Sequence, residues 1–134
     1  MEISQSFYAV WTPRILGILR IVTGCLFLQH GMQKLFGVPH DAMFDGLQLF
    51  SLMGLAGVLE LGGGLLLIIG LFTRPTAFVL SGFMAVAYFM AHAPKGPLPI
   101  LNKGELAVVY CFVFLYLAVA GAGAFSIDAG RGKA

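Results

Sequence analysis

The sequence predicts an all-α, polytopic membrane protein, built as an antiparallel bundle of four transmembrane helices. Hydrophobic side chains make up 59% of the 134 residues and charged ones only 10%, well below the roughly 25% charged residues of soluble domains. Four apolar windows are each long enough to span a membrane, which requires about 20 residues. The segments between these windows are too short for a second core, so we expect a single domain over residues 1–134.

The first apolar window covers residues 14–36. Thr12 and Pro13 precede it, and a threonine cap followed by proline is typical of a helix start. The window ends at the turn sequence GVP at 37–39. The residues before the window carry an acidic side chain and no Lys or Arg, which is a poor match to a secretory signal. We therefore expect this helix to be retained.

The other three windows cover residues 51–72, 75–93 and 104–125. The second is rich in glycine, which allows close contact between helix backbones and would suit a homo-oligomer. Only two residues separate the second window from the third, so these helices should be antiparallel neighbours. Asn102 is placed to cap the fourth helix, and Glu105 lies in its first turn, where the helix dipole favours negative charge.

Basic residues near the span ends indicate the orientation. The side that holds both termini has four of them and the opposite side has three, so the positive-inside rule places both termini in the cytoplasm. The two sets are Arg14, Arg74, Arg131 and Lys133 against Lys34, Lys95 and Lys103. On the opposite side, residues 42–50 of the first loop are amphipathic enough to form a short interfacial helix.

The first helix carries charged residues inside its span. An ionisable group there costs about 2.5 to 3.5 kcal/mol on insertion scales, so each needs a partner or a use. Six residues, among them three glycines and both charged residues, recur at alternating steps of three and four, which places them on one inward face. They are Gly17, Arg20, Gly24, Phe27, Gly31 and Lys34, and His30 flanks them one turn before Lys34.

Glu60 lies about nine residues into the second helix, roughly 14 Å deep and close to mid-membrane. A carboxylate at that depth would take up a proton unless a cation reaches it. Arg20 and Lys34 could each supply the cation. We favour Arg20, because arginine reaches far, stays charged and binds a carboxylate through two donors. A purely structural ion pair that fixes helix register is the alternative.

Polar groups of several helices are expected to converge under the two loops opposite the termini. In the third helix, Tyr88 and His92 share one stripe that ends there. Convergent titratable groups in a membrane are a candidate site, although each member alone could be a snorkelling, capping or packing residue. The predicted catalytic residues are Glu60, Lys34 and His30, and the predicted cofactor-binding residues are His92, Tyr88, Phe27, Glu105, Asn102 and Arg20.

No spacing of His, Cys or acidic residues predicts a metal site. Cys25 and Cys111 lie in apolar runs without a C-x-x-C motif, so we expect buried, inert thiols. Haem held between His30 and His92 is an alternative. The net charge of +2 gives no indication of nucleic acid, and the expected environment is the lipid bilayer.

Three segments carry a family resemblance: FLQHGMQKLFG in the first helix, GLAGVLELGGGLLLIIGLFTRPTA at 54–77, and NKGELAVVYC with GAGAFSIDA near the end. Over residues 14–128 the chain resembles the DoxX family of small bacterial four-helix membrane proteins. That resemblance implies the bacterial cytoplasmic (inner) membrane. It also implies a relation to the membrane subunit of thiosulfate:quinone oxidoreductase, and links to quinone, thiol redox chemistry and oxidative stress.

The resemblance and the polar cluster together favour a quinone-interacting subunit of a membrane redox or oxidative-stress system. A quinone site needs an apolar cleft, donors to the carbonyls and nearby proton carriers. Lys34 and His30 would polarise carbonyls, while Glu60 or Glu105 would relay protons. Because no electron-transfer cofactor is predicted, a non-catalytic membrane anchor or assembly partner of a soluble oxidoreductase is the second hypothesis. A small transporter that uses the buried charges is the third.

Overall fold

The computed structural model describes residues 2–134, with side chains described from Ser4 onward. Met1, the first residue of the predicted domain, lies outside this range. Within the described residues the regular structure is helical throughout, which confirms the predicted all-α class. The helices are α1 (Glu2–Phe36), α2 (Leu52–Ile69), α3 (Thr73–Ala91), α4 (Pro99–Asn102), α5 (Glu105–Ala120) and α6 (Ile127–Gly130), with 3₁₀ turns at Ala42–Phe44 and Ala93–Lys95.

Three segments of the described chain are long and apolar enough to cross a bilayer: Ser4–Phe36, Leu52–Ile69 and Thr73–Lys95. The fourth apolar helix, α5, has 16 residues and is therefore about 24 Å long. That is shorter than the roughly 30 Å of a typical hydrocarbon core. Three spans therefore meet the length requirement, and the count of four stays a prediction.

Helix α1 starts earlier than the sequence predicts. It begins at Glu2 and runs through Pro13, so Thr12 does not cap it. Proline removes one helical N–H donor, but membrane helices tolerate this when other groups satisfy the freed backbone. The carbonyl freed by Pro13 is that of Ala9, which lies in the exposed part of α1. The Pro13 carbonyl itself accepts a hydrogen bond of 2.9 Å from Ala124 N. Residues 4–15 are exposed, so this extension of α1 stands apart from the packed part of the helix.

Helix α5 ends earlier than the predicted 125. Gly121 and Gly123 have φ values of 90° and 68°, a conformation that an α-helix does not contain and that glycine adopts readily. The helix therefore stops at Ala120, and the following residues form an irregular segment. The carbonyls of that segment take part in the Arg20 contacts described below.

The ends of α2 and α3 differ from the predicted windows by one to three residues. Ser51 caps α2 by accepting a hydrogen bond of 3.1 Å from Gly54 N. Gly70 ends it in the left-handed region at φ 67°, and Leu71 N donates back to Leu66 O, as in a Schellman motif. Helix α3 begins at Thr73, so Pro75 lies in its first turn, where a missing N–H costs little.

The described chain forms two compact units. Unit 1 comprises the described residues up to Phe72 together with Ala122–Ala134, and unit 2 comprises Thr73–Gly121. In unit 1, α1 and α2 meet through glycines seven residues apart. A Cβ on Gly24 would lie 3.0 Å from Gly64 O, and a Cβ on Gly31 would lie 2.5 Å from Leu61 N. The two helices therefore run antiparallel with their backbones in close contact.

The inward face predicted for α1 is confirmed. Gly17, Arg20, Gly24, Phe27 and Gly31 are all buried, and Lys34 at the end of the series is half-buried. Their alternating spacing of three and four residues keeps them on one face of the helix. The face packs on α2 along the glycine contacts, so charges on it are carried into the interior of unit 1.

Unit 2 is built from α3 and α5. Ser81 Oγ donates a hydrogen bond of 2.8 Å to Cys111 O. At one end of the pair, the Arg74 guanidinium donates to the carbonyls of Ala118 and Val119 near the end of α5. Because residue numbers rise on α3 as they fall on α5, these two helices are also antiparallel. Both helices contribute buried apolar side chains, among them Leu80, Phe114 and Leu117.

Candidate functional site

Lys34 and Glu60 form a buried ion pair between α1 and α2. Lys34 Nζ lies 2.8 Å from Oε2 and 3.0 Å from Oε1 of Glu60. The two side chains are only 10% and 7% exposed. Lys34 follows Gly31 by one turn and Glu60 follows Gly57 by one turn, so the close helix contact at these glycines brings the two charges together. The carboxylate is thereby neutralised in an apolar environment.

The preferred pairing of Glu60 with Arg20 is wrong, because the Arg20 guanidinium is used elsewhere. Arg20 is 0% exposed, and its five N–H groups donate to five backbone carbonyls. Its acceptors are Leu67 O, Ile68 O, Ala122 O, Ala124 O and Phe125 O, at 2.5 to 3.0 Å.

The carbonyls explain how a buried guanidinium is accommodated at this position, and the Asp128 carboxylate also favours its charge. Leu67 and Ile68 lie in the last turn of α2, where carbonyls have no helical partner and carry the negative end of the helix dipole. The other three acceptors belong to the irregular segment after α5. Because all five donors are used, no N–H of Arg20 is left for the cofactor contact predicted from the sequence. We therefore assign Arg20 a structural role in unit 1.

The carbonyls around Arg20 are held by a second set of contacts from the C-terminal segment. Asp128 is buried at 3% exposure, and its Oδ1 accepts a hydrogen bond of 3.0 Å from Phe72 N. Asp128 N donates in turn to Gly70 O at 2.9 Å. The C-terminal segment thus fixes the turn that follows α2, and with it the carbonyls that face Arg20.

The loop after α1 covers the Lys34 end of the ion pair. The Phe44 ring lies under Lys34, with 5.0 Å from Nζ to the ring centroid, a cation–π distance. The amphipathic helix predicted at 42–50 is wrong in extent, because only Ala42–Phe44 forms a 3₁₀ turn and Gly46 then adopts φ 72°. Asp41 caps that turn by accepting from Met43 N at 2.9 Å.

A cavity of about 230 Å³ opens beside Lys34 beneath this loop. Polar residues among its lining are Gln33, Asp41 and Asp45, and Asp45 Oδ1 lies 2.8 Å from His40 Nε2. These loop carboxylates are not among the site residues predicted from the sequence. The sequence feature that could have identified them is that polar side chains follow Lys34 within one short loop. The lining residues are Gln33, Lys34, Leu35, Gly37, Asp41, Phe44, Asp45, Gly46 and Leu47.

Two other predicted residues of unit 1 lie on α1. His30 is half-buried and precedes Lys34 by one turn, as the spacing predicts. Phe27 is 1% exposed, so it is a core side chain of unit 1. Its predicted role as a ring contact for a cofactor stays a prediction.

The predicted polar residues of unit 2 form a hydrogen-bonded network. Asn102 is 1% exposed. Its Nδ2 donates to Gly96 O at 2.9 Å and to the Tyr88 hydroxyl oxygen at 3.2 Å, and His92 Nδ1 lies 3.0 Å from Asn102 O. Asn102 ends α4 and does not directly cap α5, whose N-cap is Gly104. Its Oδ1 instead accepts from Gly104 N at 2.8 Å.

The predicted site residues are therefore divided between the units. His30, Lys34 and Glu60 belong to unit 1, and Tyr88, His92, Asn102 and Glu105 belong to unit 2. Lys34 meets Glu60 directly, and Asn102 joins Tyr88 and His92. Glu105 is exposed in the first turn of α5. The convergence of both groups on one site stays a prediction.

Among the described residues, no group of three or more His, Cys, Asp or Glu side chains is arranged to hold a metal ion. Cys25 is an exposed free thiol on α1, and Cys111 is a half-buried free thiol on α5. Ser81 Oγ lies 3.6 Å from the Cys111 sulfur. The expectation that both thiols are buried is therefore wrong for Cys25, whose side chain lies on the outer face of α1.

These features define a small helical membrane protein whose first two helices enclose an ion pair. Comparison with known proteins assigns it further. The model of the DoxX family matches residues 15–93, and a protein of Haemophilus influenzae described as uncharacterized is 45% identical over 127 residues, covering 88% of this chain and 91% of its own. The chain belongs to the DoxX family.

Two further relatives have descriptive names. The "Inner membrane protein YqjF" of Escherichia coli is 32% identical, with 83% of this chain and 87% of the relative covered. The "Putative oxidoreductase CatD" of Bacillus subtilis is 28% identical, with 83% and 82% covered. No solved structure shows a significant match to the chain. Family, inner-membrane relative and apolar spans agree in describing a membrane protein.

Proposed function

We propose that this protein is a quinone-interacting subunit of a bacterial membrane redox or oxidative-stress system. The observation that carries the proposal is the Lys34–Glu60 pair beside a polar cavity of about 230 Å³. A quinone carbonyl needs a hydrogen-bond donor, and a proton carrier must lie nearby when another subunit of the redox system supplies the electrons for its reduction. Lys34 would donate to the carbonyl, Glu60 would carry the proton, and Phe44 would contact the ring.

The relatives support a redox context without defining the reaction. One relative bears a name that includes oxidoreductase, and another is named as an inner membrane protein. We extend these descriptions to this chain as part of the proposal. We also propose the predicted topology, with four antiparallel spans in the cytoplasmic membrane and both termini in the cytoplasm.

A thermal-shift titration of the purified full chain tests the quinone proposal. A ligand that binds only the folded state at 100 times its Kd stabilises that state by about 2.7 kcal/mol. We expect a short-chain quinone to raise the Tm of the wild type until the site is saturated. The Tm of Lys34→Met should be the same with and without the quinone. Lys95→Met is the matched control, because Lys95 is exposed and outside the cavity.

A variant with both charges replaced separates loss of binding from loss of folding. Lys34→Met with Glu60→Met removes both charges together, and hydrophobic replacement of a buried pair is often neutral for stability. This double variant should fold and show no quinone shift. A wild-type Tm that does not respond to quinone, or a shift that persists in the double variant, would contradict the proposal.

A second function, the membrane anchor for a soluble oxidoreductase, is favoured by the N-terminal extension of α1. Residues 4–15 are exposed, and a 35-residue helix is about 52 Å long, longer than a bilayer core requires. Phe7 and Trp11 lie one turn apart on this extension and are 56% and 42% exposed. Purification in mild detergent would distinguish the two functions. The anchor function is supported if a stoichiometric redox partner co-purifies with the wild type and is lost in the double variant Phe7→Ala with Trp11→Ala.

A further inference from the structure

His92 has a defined hydrogen-bonding tautomer. Its Nδ1 lies 3.0 Å from the backbone oxygen of Asn102. A carbonyl oxygen can only accept a hydrogen bond, so Nδ1 must carry the hydrogen in this contact. In the neutral ring, the lone pair is then on Nε2. His92 therefore presents Nε2 as a hydrogen-bond acceptor.

Tyr88 complements His92 with a donor. The Tyr88 oxygen accepts a hydrogen bond of 3.2 Å from Asn102 Nδ2. Because a phenolic hydroxyl can both accept and donate, this contact leaves the Tyr88 hydrogen for another acceptor. The Tyr88 and His92 rings are nearly parallel, at 23° and 6.3 Å between centroids. A hydrogen-bond acceptor just after the end of α3 and a hydrogen-bond donor in its last turn are thus neighbours.

The two rings are held in place by groups with no remaining hydrogen-bonding freedom. The Asn102 amide is buried, and both its nitrogen and its oxygen have partners. Gly104 allows the Tyr88 ring to lie close to the backbone, since a Cβ there would be 2.6 Å from Tyr88 Cε2. Both Tyr88 and His92 are half-buried, so a ligand can reach them. The arrangement is preorganised for binding.

An exposed aromatic side chain lies beside the polar pair. Phe89 packs edge-on to Tyr88 at 5.3 Å between ring centroids, and it is 69% exposed. Both α3 and the residues up to Lys95 belong to a segment able to cross a bilayer. A molecule that reaches this surface through the membrane is therefore apolar. An exposed aromatic ring beside the polar pair favours a ligand that is itself aromatic.

We propose that unit 2 binds a membrane-soluble phenol or quinol through one hydroxyl group, which donates to His92 Nε2 and accepts from the Tyr88 hydroxyl. A hydroxyl oxygen meets both requirements, whereas a quinone carbonyl can only accept. The site should therefore prefer the reduced form of a quinone. Binding alone is proposed, and no electron transfer is required. The proposal uses residues of unit 2 only and does not depend on the Lys34–Glu60 proposal.

Three related probes test the requirement for the ligand's hydroxyl. The full chain in lipid nanodiscs is titrated with a decyl benzoquinol, the matching benzoquinone and the quinol's dimethyl ether. One net hydrogen bond corresponds to about three- to tenfold in affinity. We expect the quinol to bind at least threefold more tightly than the dimethyl ether. Equal affinities for these two probes, or no binding of the quinol, would overturn the proposal.

Three variants assign the effect to individual atoms. In His92→Asn the amide can replace Nδ1 toward Asn102 O but has no group at Nε2, so the preference for quinol over dimethyl ether should disappear. In His92→Gln the amide oxygen can reach the Nε2 position, and part of the preference should return. Tyr88→Phe should weaken the quinol and the dimethyl ether alike, because both oxygens accept from the Tyr88 hydroxyl. An unchanged preference in His92→Asn would overturn the assignment.

Two further measurements make the result independent of folding and of the other proposed site. The ¹⁵N spectrum of His92 should show the hydrogen on Nδ1 and a bare Nε2 in the ligand-free protein, and a hydrogen on Nε2 would overturn the proposal. The Lys34→Met variant should retain the preference for quinol over the dimethyl ether. If Lys34→Met lost the preference for quinol over the dimethyl ether, the claim that unit 2 binds independently would be overturned. If Lys34→Met lost only the quinone-dependent Tm shift, the result would concern the Lys34–Glu60 proposal alone.

Discussion

Lys34 Nζ and Glu60 Oε2 lie 2.8 Å apart in the interior of unit 1, although 26 residues separate them in the chain. The contact depends on backbone proximity. A Cβ on Gly57 would lie 3.2 Å from Lys34 Cβ, so the second helix passes directly beside the lysine stem. Glu60 lies one turn further along α2, and its carboxylate accepts hydrogen bonds from the Lys34 ammonium group. Helix packing and charge pairing are thus parts of one arrangement.

The first prediction concerns the stability of this pair. Lys34→Met leaves the Glu60 carboxylate buried without its partner, and breaking a buried pair in this way costs about 3 kcal/mol. Glu60→Gln should cost less, because the amide oxygen still accepts from Lys34 Nζ. Thermal unfolding in detergent, monitored by circular dichroism, measures both losses. The double variant Lys34→Met with Glu60→Met should recover most of the lost stability, and failure to recover would mean that the pair is not isolated.

The second prediction concerns Arg20. Lysine carries three donors on a single nitrogen and cannot reproduce the guanidinium fork that contacts five carbonyls. Hydrogen bonds to charged groups contribute about 1.5 to 3 kcal/mol each, so Arg20→Lys should lower the free energy of unfolding by about 3 kcal/mol or more. Arg74→Lys is the matched control. Arg74 also donates to carbonyls near a helix end, but it is exposed, and its replacement should change stability little.

The helical pattern and the buried face of α1 could be predicted from the sequence because both follow from residue spacing. The steps of three and four between Gly17 and Lys34 require one helix face, and the structure buries that face. The inward position of Glu60 was predictable for a second reason, because ionised groups avoid hydrocarbon. Helical spacing and the cost of a charge in hydrocarbon were sufficient for these results.

The partner of each charge could not be predicted from spacing. Arg20 finds carbonyls because α5 stops at Gly121 and the chain then bends, and that end depends on backbone conformations with φ of 90° and 68°. The sequence predicts a helix through 125, and in a regular helix those carbonyls would point along the helix axis instead of converging on Arg20. Because the Arg20 guanidinium is bound to these carbonyls, Lys34 is the cation of α1 that pairs with Glu60.

The loop carboxylates near Lys34 were missed for a related reason. The sequence predicts an amphipathic helix at 42–50, and a helix there would direct the side chains by helical period. Gly46 in the left-handed region ends the 3₁₀ turn instead. Asp41 and Asp45 then line the cavity. Loop conformation rather than helical periodicity determines this part of the candidate site.

The third prediction tests the proposed topology. In a background of Cys25→Ala with Cys111→Ser, the variants Lys95→Cys and Lys133→Cys each place one thiol at an exposed position. A membrane-impermeant maleimide added to intact spheroplasts should label Lys95→Cys rapidly. Lys133→Cys should be labelled only after permeabilisation, because the positive-inside rule places the termini in the cytoplasm. Labelling of Lys133→Cys in intact spheroplasts would contradict the proposed orientation.

The fourth prediction compares two glycines of similar helical context. A Cβ on Gly31 would lie 2.5 Å from Leu61 N and 2.9 Å from Gly57 O, whereas a Cβ on Gly62 has no neighbour within 4 Å. Gly62→Ala should therefore be neutral or should stabilise the protein by about 0.5 to 1 kcal/mol, since alanine favours a helix over glycine. Gly31→Ala requires α1 and α2 to separate, so it should lower the Tm. Separation would also lengthen the Lys34–Glu60 contact, and the Gly31→Ala variant should lose the quinone-dependent Tm shift while Gly62→Ala keeps it. Equal Tm values for the two variants would show that the backbones of α1 and α2 are not in close contact at Gly31.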